Sequence, residues 1–337
     1  MKTLVIGSGR MGRRHIQVVK DLNLEIDGVL DFSQDVLNIT QEEHNIPSDR
    51  LFTSVDEAFN NTSAELVIIS TTAPFHLEYV EKAAEYGAKY ILCEKPMATS
   101  IEDCNRILEI CDKNNIKLAI NHQMRFMEQY TLTKELVQSE AFGGLSSVTV
   151  VAGNFGMSMN GTHYFEMFRY MTDELPDTVQ AWFDEDSVPN PRGERYQDRS
   201  GSIRVVTASG KRFYMEISAD QGHGMHVTYT GPNGRITIDE LLGKMTAVIR
   251  DEEYRELPST RYGMPATETL SQIEPADAVS PTKSVLKALL NDEDYPDGVI
   301  GRAAVATLVA AYESNENDHK PVKVDMNLPA DRDFPWA

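Results

Sequence analysis

The chain has 337 residues, 41% hydrophobic and 25% charged, which is the profile of a soluble globular protein with room for two domains and excludes a fibre or a disordered chain. Its 32 basic and 52 acidic residues leave a net charge of −20. Such a surface repels a polyphosphate backbone, so nucleic acid is excluded as a partner, whereas a small substrate in a local basic pocket is not.

Lys2-Thr3-Leu4-Val5-Ile6 has the apolar content of a buried strand. A strand starting at Lys2 leaves no room for a signal peptide, and no apolar run approaches the roughly 18 residues of a membrane span, so a cytoplasmic location is expected. The strand runs directly into Gly7-Ser8-Gly9-Arg10-Met11-Gly12, after which Ile16, Val19 and Leu22 recur at helical spacing. Strand, GxGxxG and helix in this order form a dinucleotide fingerprint. The glycines permit a tight turn and close approach of the backbone to a pyrophosphate, and the helix N-terminus faces the anion. A second strand, Glu25 to Leu30, ends at Asp31, roughly 20 residues past the last glycine, where a carboxylate bonds both ribose hydroxyls. Asp31 repels a 2′-phosphate and Phe32-Ser33-Gln34 offers no base to receive one, so NAD is expected in preference to NADP.

Helices are expected over Ser33 to His44 and Val55 to Asn60, with a short strand near Leu51 to Thr53 between them. Glu65 to Ser70 is the next buried strand, and Thr71-Thr72-Ala73-Pro74-Phe75-His76 gathers small and polar residues at its end. A helix from His76 stops at Gly87, a suitable left-handed terminator. The strand Tyr90-Ile91-Leu92-Cys93 then delivers Glu94-Lys95-Pro96, a charged pair at a strand's carboxyl end, which is where open α/β sheets bind ligands and where a shielded lysine can handle a proton. A solvated loop is the plain alternative for that tripeptide taken alone. On the helix Ile101 to Asn114, Cys104 and Cys111 share an apolar face with Ile101 and Leu108. Three cysteines, the third being Cys93, without metal-type spacing are reduced core residues. Ile116 to Ile120 is a strand ending in Asn121-His122-Gln123-Met124-Arg125-Phe126.

Past residue 140 the texture changes. Ser147 to Gly153, Val179 to Phe183, Ser202 to Ala208, Arg212 to Ser218, His226 to Gly231 and Arg235 to Asp239 are successive strands, several alternating with period two, and one helix from Thr162 to Met171 interrupts them. Helices follow at Val279 to Leu290 and Gly301 to Tyr312. The expected architecture is α/β: an N-terminal doubly wound parallel Rossmann sheet over 1–122, and over 123–337 an α+β domain with a large, mostly antiparallel, open-faced sheet, from which a C-terminal helix is able to pack back on the first domain. His223-Gly224-Met225-His226 with Asp220 has the look of a loop and sheet edge, and no metal is expected. Arg192, Arg195, Tyr196 and Arg199 form either a solvated loop or one that reaches toward an anionic substrate, and Arg261-Tyr262-Gly263-Met264-Pro265 is a similarly irregular stretch.

The glycine motif, the Thr-Ala-Pro turn with His76, Glu94-Lys95-Pro96, Asn121, Arg125-Phe126 and a helix-opening Gly161-Thr162-His163 together resemble the glucose-fructose oxidoreductase / inositol dehydrogenase (Gfo/Idh/MocA) family, over nearly the whole length. The resemblance implies NAD(P)-dependent hydride transfer on sugars, cyclitols or related carbonyl compounds, and dimers or tetramers built through the C-terminal sheet. It makes Lys95 and His163 the proton-handling pair. The cofactor would be lined by Gly7, Gly9, Arg10, Met11, Gly12, Asp31, Thr71, Thr72, Pro74, His76, Glu94, Lys95, Asn121 and Arg125, and the substrate by Lys95, Arg125, Asn160, His163 and Tyr164. Where the family pattern has an aspartate four residues before the histidine, this chain has Met159, which cannot carry a catalytic proton. Three readings follow: Lys95 and His163 suffice, with Asn160 orienting the substrate; another carboxylate fills in; or the fold persists as a catalytically inactive NAD-binding regulatory or scaffold protein.

Overall fold

A computed structural model describes residues 1–153, 156–187, 190, 192–258, 264–275 and 277–336. It divides into two compact units: Met1–Gln123 with Asp277–Val305 and Ala330–Ala337, and Met124–Ala276 with Ala306–Pro329.

The first unit carries strands β1 (Lys2–Ile6), β2 (Glu25–Leu30), β3 (Leu51–Phe52), β4 (Leu66–Ile69), β5 (Tyr90–Cys93) and β6 (Lys117–Ile120). Helices α1 (Arg10–Asp21), α2 (Gln34–His44), α3 (Val55–Asn60), α4 (His76–Glu85) and α5 (Ile101–Lys113) alternate with them. All pairings are parallel and the sheet order is β3-β2-β1-β4-β5-β6. The inner strands are buried almost end to end, as continuous apolar runs must be when both faces of a sheet are covered. The order reverses between β1 and β4, so the turns after these two strands flank the switch point at which such sheets open a crevice. Local signals set the helix ends. The Ser100 hydroxyl accepts from Asp103 N at 3.0 Å at the start of α5, and α4 terminates with Gly87 at φ +77°.

The second unit begins with α6 (Glu128–Gln138), β7 (Ser147–Gly153) and α7 (Thr162–Thr172). It continues through β8 (Pro176–Ser187), β9 (Arg199–Thr207), β10 (Arg212–Ser218), β11 (His226–Gly231), β12 (Gly234–Asp239), β13 (Lys244–Arg250) and β14 (Ala266–Gln272). After α8 (Val279–Asn291) in the first unit, α9 (Gly298–Glu316) runs from one unit into the other and β15 (Val322–Lys323) returns to the large sheet. That sheet has nine strands in the order β14-β13-β12-β11-β7-β10-β9-β8-β15, antiparallel apart from the parallel pair β7 and β10. β9, β10 and β11 alternate buried and partly exposed residues. Phe213 on their buried face packs against Phe165 and Phe168 of α7 at 6.1 and 5.4 Å between ring centroids. The opposite face leaves Trp182 44% and Tyr214 36% exposed.

Within the first unit α8 packs on α1 and beside β5 and β6. The tail after Ala330 also belongs there. Glu102 N donates to Ala330 O at 2.8 Å, Phe334 N to Thr99 O at 3.1 Å, and Trp336 is fully buried with its ring stacked on Phe334. The strands β13, β14 and β15 were not expected from the sequence. Every residue of β14 is exposed, so no apolar period marks it. Of the irregular stretch at 261–265, residues 261–263 lie outside the described residues.

Candidate functional site at the carboxyl edge of the parallel sheet

Gly7 sits at φ +84°, and a Cβ there would lie 2.9 Å from Ser70 O; one at Gly12 would lie 1.9 Å from Gly7 O. Only glycine satisfies both. Gly9, by contrast, has open space where its Cβ would stand, and as the residue before α1 it brings no side chain to cap the first helical N–H groups. Arg10 is exposed and Met11 half-buried beside Arg14. The Asp31 carboxylate accepts from Ser8 N at 2.8 Å through one oxygen and from Ser33 N at 3.0 Å through the other. The first of these oxygens also receives the Ser8 hydroxyl at 3.4 Å, and the second retains a lone pair for a further donor, such as a ribose hydroxyl.

Beyond β4, the Thr71 hydroxyl is buried and has no hydrogen-bond partner among the described residues. Thr72 is half-buried, and Pro74 stands exposed in a single 3-10 turn. His76 is fully buried with its ring nitrogens 3.2 Å from Thr71 O and Met97 O, so it ties the end of β4 to the turn after Lys95. Beyond β5, Glu94 is 4% exposed and its Oε1 accepts from His15 Nε2 and from Asn121 Nδ2, each at 2.8 Å. Burial pushes the Glu94 carboxyl up, but the hydrogen bond and charge of His15, the charge of Lys95 and the Asn121 bond outweigh it and hold it at about 2. Lys95 itself is half-buried and is followed by a cis peptide bond to Pro96. Asn121 keeps its carbonyl oxygen buried, with no partner among the described residues. These features fit a dinucleotide: an uncapped glycine turn for the pyrophosphate, a carboxylate for a ribose, and the Thr71 and Asn121 oxygens open to further donors.

In the second unit, Arg125 is buried against Glu166 of α7 at 3.4 Å and lies over the Tyr170 ring at 4.7 Å. A turn of π-helix, Met157–Gly161, leads into α7 and His163, which is 8% exposed. Asp198, buried at 1%, accepts from Ser158 N at 2.8 Å and Met159 N at 2.9 Å, and a Cβ on Gly156 would strike its carboxylate at 1.9 Å. Asn160 is half-buried on that turn. Tyr164 is buried, and its hydroxyl donates to Glu240 Oε2 at 2.9 Å while Tyr130 of α6 donates to Oε1 of the same carboxylate. His223 is held by Gln221 and Gly224 O, and His226 lies 3.7 Å from Asp239. Among the described residues no group of three or more His, Cys, Asp or Glu is arranged to hold a metal ion. Of the arginine segment, Arg195 stacks over Tyr196, and Arg199 opens β9 and donates to Glu185 O.

Residues 1–122 match the family model described as the Gfo/Idh/MocA oxidoreductase family, NAD-binding Rossmann fold. The match is confined to these residues, which hold the parallel sheet of the first unit. An uncharacterized oxidoreductase of Streptococcus pneumoniae is 26% identical over 224 residues, which cover 60% of each chain. The D-xylose 1-dehydrogenase [NADP(+)] of Haloarcula marismortui is 24% identical over 75% of this chain and 73% of its own. Among solved structures, an oxidoreductase from Agrobacterium radiobacter in complex with NAD+, L-tartaric acid and magnesium superposes with a TM-score of 0.80 at 17% identity, covering 96% of this chain and 98% of that one. That last likeness is one of fold.

Three buried groups have no counterpart among the residues the sequence singles out. His15 follows the glycine turn by less than one helical turn and bonds Glu94, a contact of long sequence separation that no local pattern announces. Asp198 and Glu240 escaped for the same reason. A buried acid at a strand end has no signature until its donors are folded around it.

Proposed function

We propose that the chain is an NAD-dependent oxidoreductase that moves a hydride between nicotinamide and a secondary alcohol, or the matching ketone, of a sugar, cyclitol or sugar derivative. The observation that carries this reading is the gathering on one sheet edge of the glycine turn after β1, Asp31 after β2, Thr71 after β4 and Glu94-Lys95 after β5. The family match over residues 1–122 supports the cofactor class, and the xylose dehydrogenase among the relatives supports the substrate class.

When bound, nicotinamide supplies the hydride acceptor or donor. The protein's own part is to bind, orient and move one proton. Backbone N–H groups from Gly9 to Gly12 hold the pyrophosphate, and Asp31 accepts from the ribose hydroxyls and repels a 2′-phosphate, which favours NAD over NADP. Thr71, Thr72, Pro74, Glu94 and Asn121 line the cofactor, with His76 holding their turns together. Lys95 and His163 take up the hydroxyl proton as the hydride leaves the same carbon, or return it in the reverse direction. Asn160 and Arg125 orient the substrate. Tyr164, whose hydroxyl is engaged by Glu240, is left out of this set.

Calorimetric titration with NAD and NADP, followed by an NADH absorbance screen over sugars, cyclitols and sugar nucleotides, tests the reading. NAD is expected to bind more tightly than NADP, and Lys95→Ala to lower turnover by about 10²- to 10⁴-fold with NAD affinity retained. Tighter NADP binding removes the role given to Asp31. Silence across the whole panel with NAD bound favours the scaffold reading, to which Met159 points.

A further inference from the structure

We infer that His15 is a positioning residue for Lys95: its ring N–H holds the Glu94 carboxylate in the place from which that carboxylate sets the charge and setting of the neighbouring lysine. This rests on the reading of Lys95 as the proton-handling lysine.

The geometry is confined to the first unit. His15 is wholly buried on α1, and its Nε2 stands 2.8 Å from Glu94 Oε1. An ionised carboxylate only accepts, so Nε2 must carry the proton of this bond whether the ring is neutral or cationic. The same oxygen accepts from Asn121 Nδ2 at 2.8 Å, and Asn121 Nδ2 in turn reaches Thr282 Oγ1 of α8 at 3.3 Å. Glu94 Oε2 lies 3.4 Å from the backbone N of Lys95. α1 and the turn after β6 thus meet on a single buried carboxylate whose next residue in the chain is the lysine, and α8 holds the Asn121 amide that bonds it.

Energetics give the arrangement its consequence. A buried carboxylate stays ionised only while donors and positive charge surround it. Among the described residues, the titratable groups that face Glu94 are His15 from α1, Lys95 in its own turn, and Cys93, which precedes it on β5 and whose thiol burial and then the Glu94 charge push well up. Asn121 and Thr282 are neutral. Removing the His15 donor lets burial prevail in part. Glu94 is then no longer held in place and turns toward other donors, the negative charge moves away from Lys95, and the lysine releases its own proton at lower pH. His15 also stands on the helix that opens at the glycine turn, so the pyrophosphate-facing turn and the lysine turn are fastened to each other through one hydrogen bond.

The test is competitive acetylation of the purified, cofactor-free chain across the alkaline range, with the pH midpoint of Lys95 labelling read by peptide mass spectrometry. His15→Leu and Glu94→Gln are each expected to lower that midpoint by about one unit, and the double variant by no more than the larger single shift. His15→Gln, which keeps an N–H donor, is expected to return it toward the wild-type value. A His15→Leu midpoint equal to wild type while Glu94→Gln shifts, or two shifts that add in the double variant, overturns the inference. Should His15→Leu not fold, His15→Asn, whose shorter amide falls short of Glu94, carries the same two outcomes. The readout uses neither substrate nor cofactor, so a negative sugar panel would refute the proposed reaction without touching this result.

Discussion

At the scale of single residues, the chemistry-bearing groups differ in how visible they are. Gly7, Asp31 and the Glu94-Lys95 pair stand at strand ends that hydrophobic runs announce, because each follows a buried apolar strand directly. Glu240 has no such herald. Burial pushes its carboxyl up, and although Tyr130 and Tyr164 donate to it the balance leaves it at about 7. Unfolded, the same group titrates near 4.5. The folded state therefore binds the extra proton between these values, so stability falls as pH rises from about 4.5 to about 7 and stays at the lower level above. Glu240→Gln keeps an amide between the two tyrosines and cannot ionise. Its stability relative to wild type is expected to rise by on the order of 3 kcal/mol between about pH 5 and about pH 8, measured by urea unfolding at both. An offset that does not change with pH would refute the assignment.

At the scale of elements, alternation and continuous apolar runs marked β1 to β6 and most of the large sheet, because a strand with one or two buried faces must carry them in its sequence. β14 carries no buried face and was invisible. The π-helical turn before α7 is likewise not a matter of propensity. It is held by Asp198, some forty positions further along the chain, through the backbone N–H groups of Ser158 and Met159. The tail that carries Trp336 is a third case. A lone tryptophan in a polar stretch gives no periodic signal, yet its ring is completely buried and the preceding Phe334 bonds Thr99, four residues beyond Lys95. Trp336→Ala is expected to cost about 3–5 kcal/mol of stability in chemical denaturation, the range for deleting a large buried aromatic. A loss below about 1 kcal/mol would show that the tail is dispensable to the first unit.

At the scale of the whole molecule, a net charge of −20 keeps copies apart unless an apolar face outweighs it. The nine-stranded sheet has such a face, where Trp182 and Tyr214 stand partly exposed among Ser202, Arg204 and Glu216. We propose that a homodimer or homotetramer forms through it. Light scattering behind size exclusion is expected to give a mass two or four times 37.8 kDa, and Trp182→Arg to lower it toward the monomer. A wild-type monomer at working concentration would sink this proposal.

The sequence by itself determined the alternation of strand and helix in the first unit, the dinucleotide turn, the acid at the end of β2 and the lysine at the end of β5. All of these depend on neighbours within a few residues, where apolar period and glycine placement act directly. Tertiary structure alone decided which buried polar groups meet. His15 with Glu94, Asp198 with the turn before His163, and Glu240 with two tyrosines each join positions far apart in the chain. The reason is physical. A polar side chain is stable in the interior only where its partner has been brought to it, and the choice of partner is made by packing rather than by local sequence.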